Sequence, residues 1–227
     1  MIYLTEKIGN KAVYISERQL RPILSEAADE MFSLTALHSI NTFSGRYKFC
    51  LEHLGKPIGR GSSRAVFQIS DTDVLKLAIN TKGLAQNVVE SEWYKQSYDF
   101  IPKIYDIGPH CAWINCEFVL PAKKKDFIVC LGMKFEEFCN YLRIVASQYA
   151  KHGWGKYSQE EYDKVYELAE EKPIFGEIVQ YMTDAQIPVG DMTRIANWGL
   201  AQRNGEPTVV LLDHGLTEAI WEEFYKK

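Results

Sequence analysis

Val189-Gly190-Asp191-Met192-Thr193-Arg194-Ile195-Ala196-Asn197-Trp198-Gly199 precedes a turn at Asn204-Gly205, and then comes Val209-Val210-Leu211-Leu212-Asp213-His214-Gly215. Val209–Leu212 is a run of apolar β-formers, which predicts a buried strand. An aspartate directly after such a strand stands at its tip, where its carboxylate can hold a hard cation. Asn197 supplies a second oxygen donor. Asp191 can accept a hydroxyl proton or position the hydroxyl. Taken singly, the aspartates read as turn residues and Asn197 as a cap. Their order, together with what lies upstream, makes them a site.

Upstream, Ile58-Gly59-Arg60-Gly61-Ser62-Ser63-Arg64-Ala65-Val66-Phe67 is a glycine-rich turn running into a strand. Gly59 and Gly61 let the backbone approach phosphate oxygens, and Ser62 and Ser63 add hydroxyl and N–H donors. A dinucleotide-binding βαβ unit fits poorly, because a strand follows the glycines where that unit needs a helix. Lys76 lies in the apolar run Val74-Leu75-Lys76-Leu77, where a returning hairpin places it beneath the loop. Glu90 or Glu92, on the next helix, can pair with it. Glu90 adjoins the apolar face of Leu84, Val88 and Val89 and is the better placed.

The 227 residues, 46% hydrophobic and 13% aromatic, suit one globular domain or two small halves sharing a cleft. A net charge of −4 argues against nucleic acid or an anionic membrane as partner. No apolar run approaches the ~18 residues of a membrane span. Met1–Lys7 lacks the apolar core of a signal peptide. The five cysteines, odd in number and without a C-x-x-C, read as reduced thiols and not as a zinc site. A cytoplasmic protein is the expectation.

Residues 2–15 predict a hairpin about Gly9-Asn10, and Ser16-Glu17-Arg18-Gln19 opens helical sequence to about His38, interrupted near Pro22. A helix over 44–54 should end at Gly55. Strands are expected at 65–69, 74–77, 103–107 and 112–119, and a helix over 83–96. After Pro121 the chain turns helical. Phe135, Phe138, Leu142, Val145 and Tyr149 share one face, Ser158 caps the next helix and Pro173 starts another. Trp198–Ala201 and Thr208–Leu212 form a terminal hairpin. The tryptophans read as packing residues, with Trp198 wedging that hairpin. Lys123-Lys124-Lys125 reads as a solvated charge run or as a contact for an acidic partner.

In this order the motifs resemble the protein-kinase-like fold over residues 55–216. Gly59, Gly61 and Val66 match the G-x-G-x-x-G-x-V loop, Lys76 the strand lysine and Glu90 its helix partner. Glu117-Phe118-Val119-Leu120 is similar to the hinge that receives adenine. Asp191 matches the catalytic-loop aspartate, Asn197 the metal asparagine, and Asp213-His214-Gly215 the Asp-Phe-Gly motif. The resemblance implies an α+β bilobal fold: an N-terminal extension (1–54), an antiparallel-sheet N-lobe (55–120) and a reduced helical C-lobe (121–227).

The departures have consequences of their own. Arg64 stands at the third glycine, which stiffens the loop or reads a phosphate through its guanidinium. Val189-Gly190 replaces His-Arg, a pairing closer to aminoglycoside and choline kinases, and argues against control by a phosphorylated activation loop. Asn197 follows Asp191 by one residue more than is usual, bringing Arg194 to where kinases keep a lysine near the γ-phosphate. His214 in place of Phe predicts looser packing behind Asp213. Leu216–Lys227 is too short for an activation segment and peptide-docking helices, as in the minimal kinases of bacterial effectors and phages.

The resemblance therefore implies a Ser/Thr kinase that uses ATP and magnesium and can phosphorylate itself. Gly59, Gly61, Ser62, Ser63 and Val66 would surround the nucleotide, with Glu117 and Val119 at its base. Lys76 and Arg194 would act beside the catalytic Asp191, and Asn197 and Asp213 would hold the metal. A protein substrate or host partner, and a homodimer through the extension, are the expected associations. The alternatives are a pseudokinase that serves as a partner-binding module, and a small-molecule kinase.

Overall fold

The computed structural model describes residues 5–8 and 11–14, these as backbone alone, together with 32–150 and 155–226. The capping box at Ser16–Gln19, Pro22 and Trp154 lie outside the described residues. The chain divides into two compact units, Met1–Lys56 and Pro57–Lys227.

In the first unit, β1 (Thr5–Ile8) and β2 (Lys11–Tyr14) pair antiparallel with Ile8 opposite Lys11; the turn expected at Gly9-Asn10 lies outside the described residues. Helix α1 (Leu34–His38) starts at the N-cap Ser33. Helix α2 (Phe43–Leu54) starts at Thr42, whose hydroxyl accepts from Gly45 N at 3.1 Å. It stops at Gly55, where φ is +77°, a conformation glycine adopts without a Cβ penalty.

The second unit is α+β. Strands β3 (Gly59–Arg60), β4 (Arg64–Gln68), β5 (Asp73–Ala78), β6 (Ile104–Ile107) and β7 (Trp113–Glu117) form an antiparallel sheet in the order β3-β4-β5-β7-β6. Central β5 is buried from Val74 to Ala78, as its apolar run requires, and Lys76 is buried with it. Helix α3 (Thr81–Tyr94) packs on this sheet, its first turn capped by Asn80 Oδ1 on Gly83 N at 3.2 Å.

Helices α4 (Lys124–Leu131), α5 (Phe135–Ala146), α6 (Gln159–Glu171) and α7 (Pro173–Ala185) follow. Their starts are written locally. Asp126 accepts from Lys123 N at 2.7 Å, Glu161 accepts from Ser158 N at 2.7 Å, and Pro173 occupies the first turn of α7. The lysine run thus opens α4, and Lys124 pairs on the surface with Glu136 at 2.6 Å. The face expected on α5 is buried through Val145, but Tyr149 falls beyond the helix end and hydrogen-bonds Ile187 O instead.

A short helix α8 (Val189–Met192) leads to β9 (Trp198–Arg203) and β10 (Glu206–Leu211). Asn204 and Gly205 join them with φ of +54° and +86°, the left-handed pair that a two-residue hairpin needs. Trp198 is fully buried, edge-on to Phe127 at 5.5 Å and Phe138 at 5.3 Å, and donates Nε1–H to Met192 O at 2.8 Å. It therefore wedges the hairpin and also fixes the preceding loop on the helical core.

Two elements depart from expectation. Leu120-Pro121 is a strand, β8, which pairs with β9 and turns the terminal hairpin into a three-stranded sheet, β10-β9-β8. Phe118 and Val119 therefore pass directly from one sheet to the other. After Gly215, Thr217 caps a further helix, α9 (Glu218–Phe224), which returns to α3. Gly215 permits that return: a Cβ there would meet Gln86 O at 2.4 Å. Among the described residues no helix is long and apolar enough to cross a membrane.

Candidate functional site

Lys76 and Glu90 meet because β5 and α3 are packed together. Lys76 Nζ donates to Glu90 Oε2 at 2.6 Å and to Leu212 O at 2.6 Å. Glu92, by contrast, is exposed. The other oxygen of Glu90 accepts from Arg64 Nη1 at 2.7 Å. Arg64 also donates to Asn87 Oδ1 at 3.3 Å and, through Nη2, to Asp213 Oδ1. The chain is Lys76–Glu90–Arg64–Asp213, with Glu90 only 1% exposed and Asp213 half exposed.

Burial opposes ionisation of Glu90, but Arg64 and Lys76 outweigh it and hold the carboxyl well below its ordinary range. Burial likewise opposes the charge of Arg64, and Glu90 and Asp213 overcome it.

The glycine loop closes the top of this network. Gly61 N donates to Arg64 O at 2.9 Å, and the loop is tied to the start of α3 by Asn80 on Ser62 O (2.8 Å) and Ser63 on Gln86 (2.7 Å). Gly83 makes this closeness possible, since a Cβ there would lie 2.2 Å from Ser63 O.

At the opposite side, Asn197 Nδ2 donates to Asp191 O at 2.9 Å, and Leu212 N donates to Asn197 O at 2.8 Å. These bonds close the six-residue step from Asp191 to Asn197 and set Asn197 beside Leu212, which links β10 to Asp213. Arg194 is largely exposed and 3.6 Å from Asp191 Oδ1. Burial and the charge of Asp213 raise the Asp191 carboxyl above its ordinary value, against Arg194.

Two hollows adjoin. A cleft of about 750 Å³ is lined by Gly59, Gly61, Ser63, Arg64, Val66, Lys76, Glu117, Val119, Asn197 and Asp213. A second, of about 580 Å³, takes in Ser62, Asp191 and Arg194, shares Gly61, Ser63 and Asp213, and has Trp221 and Tyr225 of the C-terminal segment as a wall. Trp221 is thus a pocket residue and not only the packing residue its type suggested. Every residue expected at the site except Glu90 lines one or both hollows, and Glu90 lies beneath them.

Glu117 enters differently from its position in the sequence. Its carboxylate is clamped by Arg203, Nη1 to Oε1 at 2.9 Å and Nη2 to Oε2 at 2.6 Å, and its N–H donates to Lys103 O at 2.8 Å. The N–H of Val119 has no backbone partner among the described residues.

His214 corrects the expectation of loose packing. It is 2% exposed, and Tyr181 Oη lies 2.9 Å from its Nδ1 and donates to its carbonyl at 3.1 Å. Tyr181 in turn sits edge-on to Trp93 at 5.0 Å and Phe100 at 5.4 Å. The residue behind Asp213 is locked in place by this contact set. Burial lowers the His214 pKa to about 4; Glu90 opposes that shift, and Lys76 and Arg64 add to it.

The folded chain thus resists protonation that the unfolded chain accepts near pH 6.5. Stability should be full above that value and fall as pH drops from about 6.5 towards 4, by an order of 3 kcal/mol in total. The raised Asp191 works in the opposite sense and offsets part of the loss at the acid end. Thermal melts without divalent cations should show this slope in the wild type and a flatter one in His214→Gln. Equal slopes would refute the assignment.

Asn197 and Asp213 present hard oxygens to one cleft: the Asn197 amide nitrogen is committed to Asp191, which leaves Oδ1, and one Asp213 oxygen is free of Arg64. Among the described residues no three His, Cys, Asp or Glu side chains gather as a metal cage. The donor set fits a magnesium ion that takes few protein ligands and completes its shell with phosphates and water. Sequence reasoning missed the Arg203 clamp, the Tyr181 lock and the α9 wall. Only Arg64, at a position where glycine was expected, carried a signal. No protein-family model matches the chain, and no curated protein matches it.

Proposed function

We propose that the chain is an ATP- and magnesium-dependent phosphotransferase of bilobal kinase-like architecture, with a Ser/Thr hydroxyl of a protein, its own chain included, as acceptor. The observation that carries this reading is the convergence of Lys76–Glu90, Asn197, Asp213 and Asp191 on two adjoining hollows under one glycine loop.

Gly59, Gly61, Ser62 and Ser63 cradle the phosphates through backbone and hydroxyl donors. Lys76, oriented by Glu90, keeps a third N–H for a phosphate oxygen. Asn197 and Asp213 hold magnesium, which when bound neutralises phosphate charge. The acceptor hydroxyl reaches Asp191 from the smaller hollow, and the raised carboxyl suits a group that receives a proton. Positioning and charge stabilisation do most of what such a transfer requires. A cytoplasmic setting belongs to this reading and agrees with five unpaired cysteines. So does a partner or second copy at residues 1–54.

A second reading, a nucleotide-binding module without transfer, is favoured by the Arg64–Asp213 ion pair, which occupies one oxygen of the metal aspartate. Incubation with γ-labelled ATP and magnesium separates the two. Label on the protein supports the kinase. Label only on an added small hydroxyl compound moves the acceptor class to metabolites, for which the smaller hollow has room. Thermal stabilisation by ATP without any label supports the module. Neither label nor stabilisation overturns the nucleotide site altogether.

A further inference from the structure

Arg64 carries more contacts than a structural role needs. Glu90 is already neutralised by Lys76, and a second buried cation on one carboxylate is not a general source of stability. Arg64 and Lys76 together face Glu90 and Asp213, so the charges balance only while Asp213 stays with Arg64. Asp213 is also the exposed member of the set. Three of the guanidinium N–H groups go to Asn87, Glu90 and Asp213; among the described residues the other two have no acceptor. The side chain lines the larger cleft directly after the phosphate loop. Glu90 and Asn87 make it a fixed pivot, and the bond to Asp213 is its displaceable arm.

We propose that Arg64 is a phosphate-binding residue and the resident cation of the cleft, giving nucleoside triphosphate binding a component that needs no divalent metal. The inference rests on the reading of the cleft as an ATP site. A planar guanidinium with two donors free suits the paired oxygens of a phosphate group. Without a metal the phosphates compete with the exposed Asp213 for the Arg64 charge and add to it through the two free donors. Lys76, a point charge tied to Glu90 and Leu212 O, does not replace that fork.

The test is equilibrium binding of ATP to the full chain, in excess EDTA and in saturating magnesium. Wild type should bind in both. Arg64→Met should weaken ATP binding in EDTA by about 10- to 100-fold, the weight of a charged hydrogen-bond pair, and much less in magnesium. AMP, which lacks the outer phosphates, should lose little. Arg64→Lys should keep most of the EDTA binding. Asp213→Asn should strengthen EDTA binding, and Arg64→Met in the same chain should erase that gain, which a merely structural arginine would not do.

Equal losses in EDTA and magnesium, or an equal loss for AMP, would overturn the proposal. Wild-type binding in magnesium alone would overturn it and leave the nucleotide site standing. No ATP binding by folded wild type in either condition would remove the site and the proposal together. Circular dichroism shows which variants are folded. If Arg64→Met is not, the Arg64→Lys and Asp213→Asn titrations decide, and unchanged or weaker EDTA binding in Asp213→Asn refutes the role.

Discussion

Lys76→Met and Asp213→Ala are each expected to lower transfer from γ-labelled ATP by about two to three orders of magnitude while the chain stays folded. Both halves of that expectation follow from the ion network. Lys76 is the smaller cation on Glu90, and its removal leaves Arg64 on the same carboxylate at 2.7 Å, so no buried charge is orphaned. Methionine keeps the aliphatic stem against the sheet. What disappears is the ammonium beneath the glycine loop, and with it an electrostatic contact worth most in a desolvated site. Asp213 is half exposed, so its deletion creates little cavity, and Arg64 keeps Asn87 and Glu90. What disappears there is one of the two oxygen donors that the kinase reading assigns to magnesium. Initial rates, with far-UV circular dichroism beside them, check both halves. Variants that label as fast as wild type would end the kinase reading; variants that lose label and fold together would make the network structural.

The parts of this arrangement that were legible in the chain are those encoded within a few residues. Asn204-Gly205 dictates its own turn, Ser158 and Glu161 cap each other, and the run Val209–Leu212 reads as a buried strand, which it is as far as Leu211. Lys76 and Asp213 were legible for a related reason: a charged residue within or directly after an apolar strand has few places to go. The rest depends on contacts between distant segments. Strand β8 contains a proline and exists only because β9 offers it an edge. Helix α9 is held by its approach to α3 at Gly215. Nothing near Glu117 in sequence announces Arg203, 86 positions later. His214 looked like a weaker filler than phenylalanine, and the hydroxyl of Tyr181 that satisfies it comes from another helix. Arg64 could be marked as out of place in a glycine loop, but its inward course needed the positions of Asn87, Glu90 and Asp213.

Glu90→Gln should be the most destabilising isosteric change in the site, costing about 3–5 kcal/mol. The carboxylate holds two cations that are themselves buried, and it also receives the His214 N–H at 3.4 Å. Glutamine keeps the shape but has one acceptor oxygen and no charge, so Lys76 and Arg64 would face each other without an anion between them. Asp213 can absorb part of this by drawing Arg64 outward, which sets the cost below that of a wholly stranded pair. In a unit of this size the loss should lower the melting temperature by roughly 10 °C. Glu92→Gln, two positions along the same helix and exposed, should stay within about 0.5 kcal/mol of wild type. Combining Glu90→Gln with Lys76→Met should recover stability relative to Glu90→Gln alone, because one of the two uncompensated cations is gone. That recovery is the sharper observation, since a defect of helix packing would add to the second substitution instead of being relieved by it. Denaturant titrations of the four proteins supply the cycle; additive costs would show that the buried cations do not set the stability of this site.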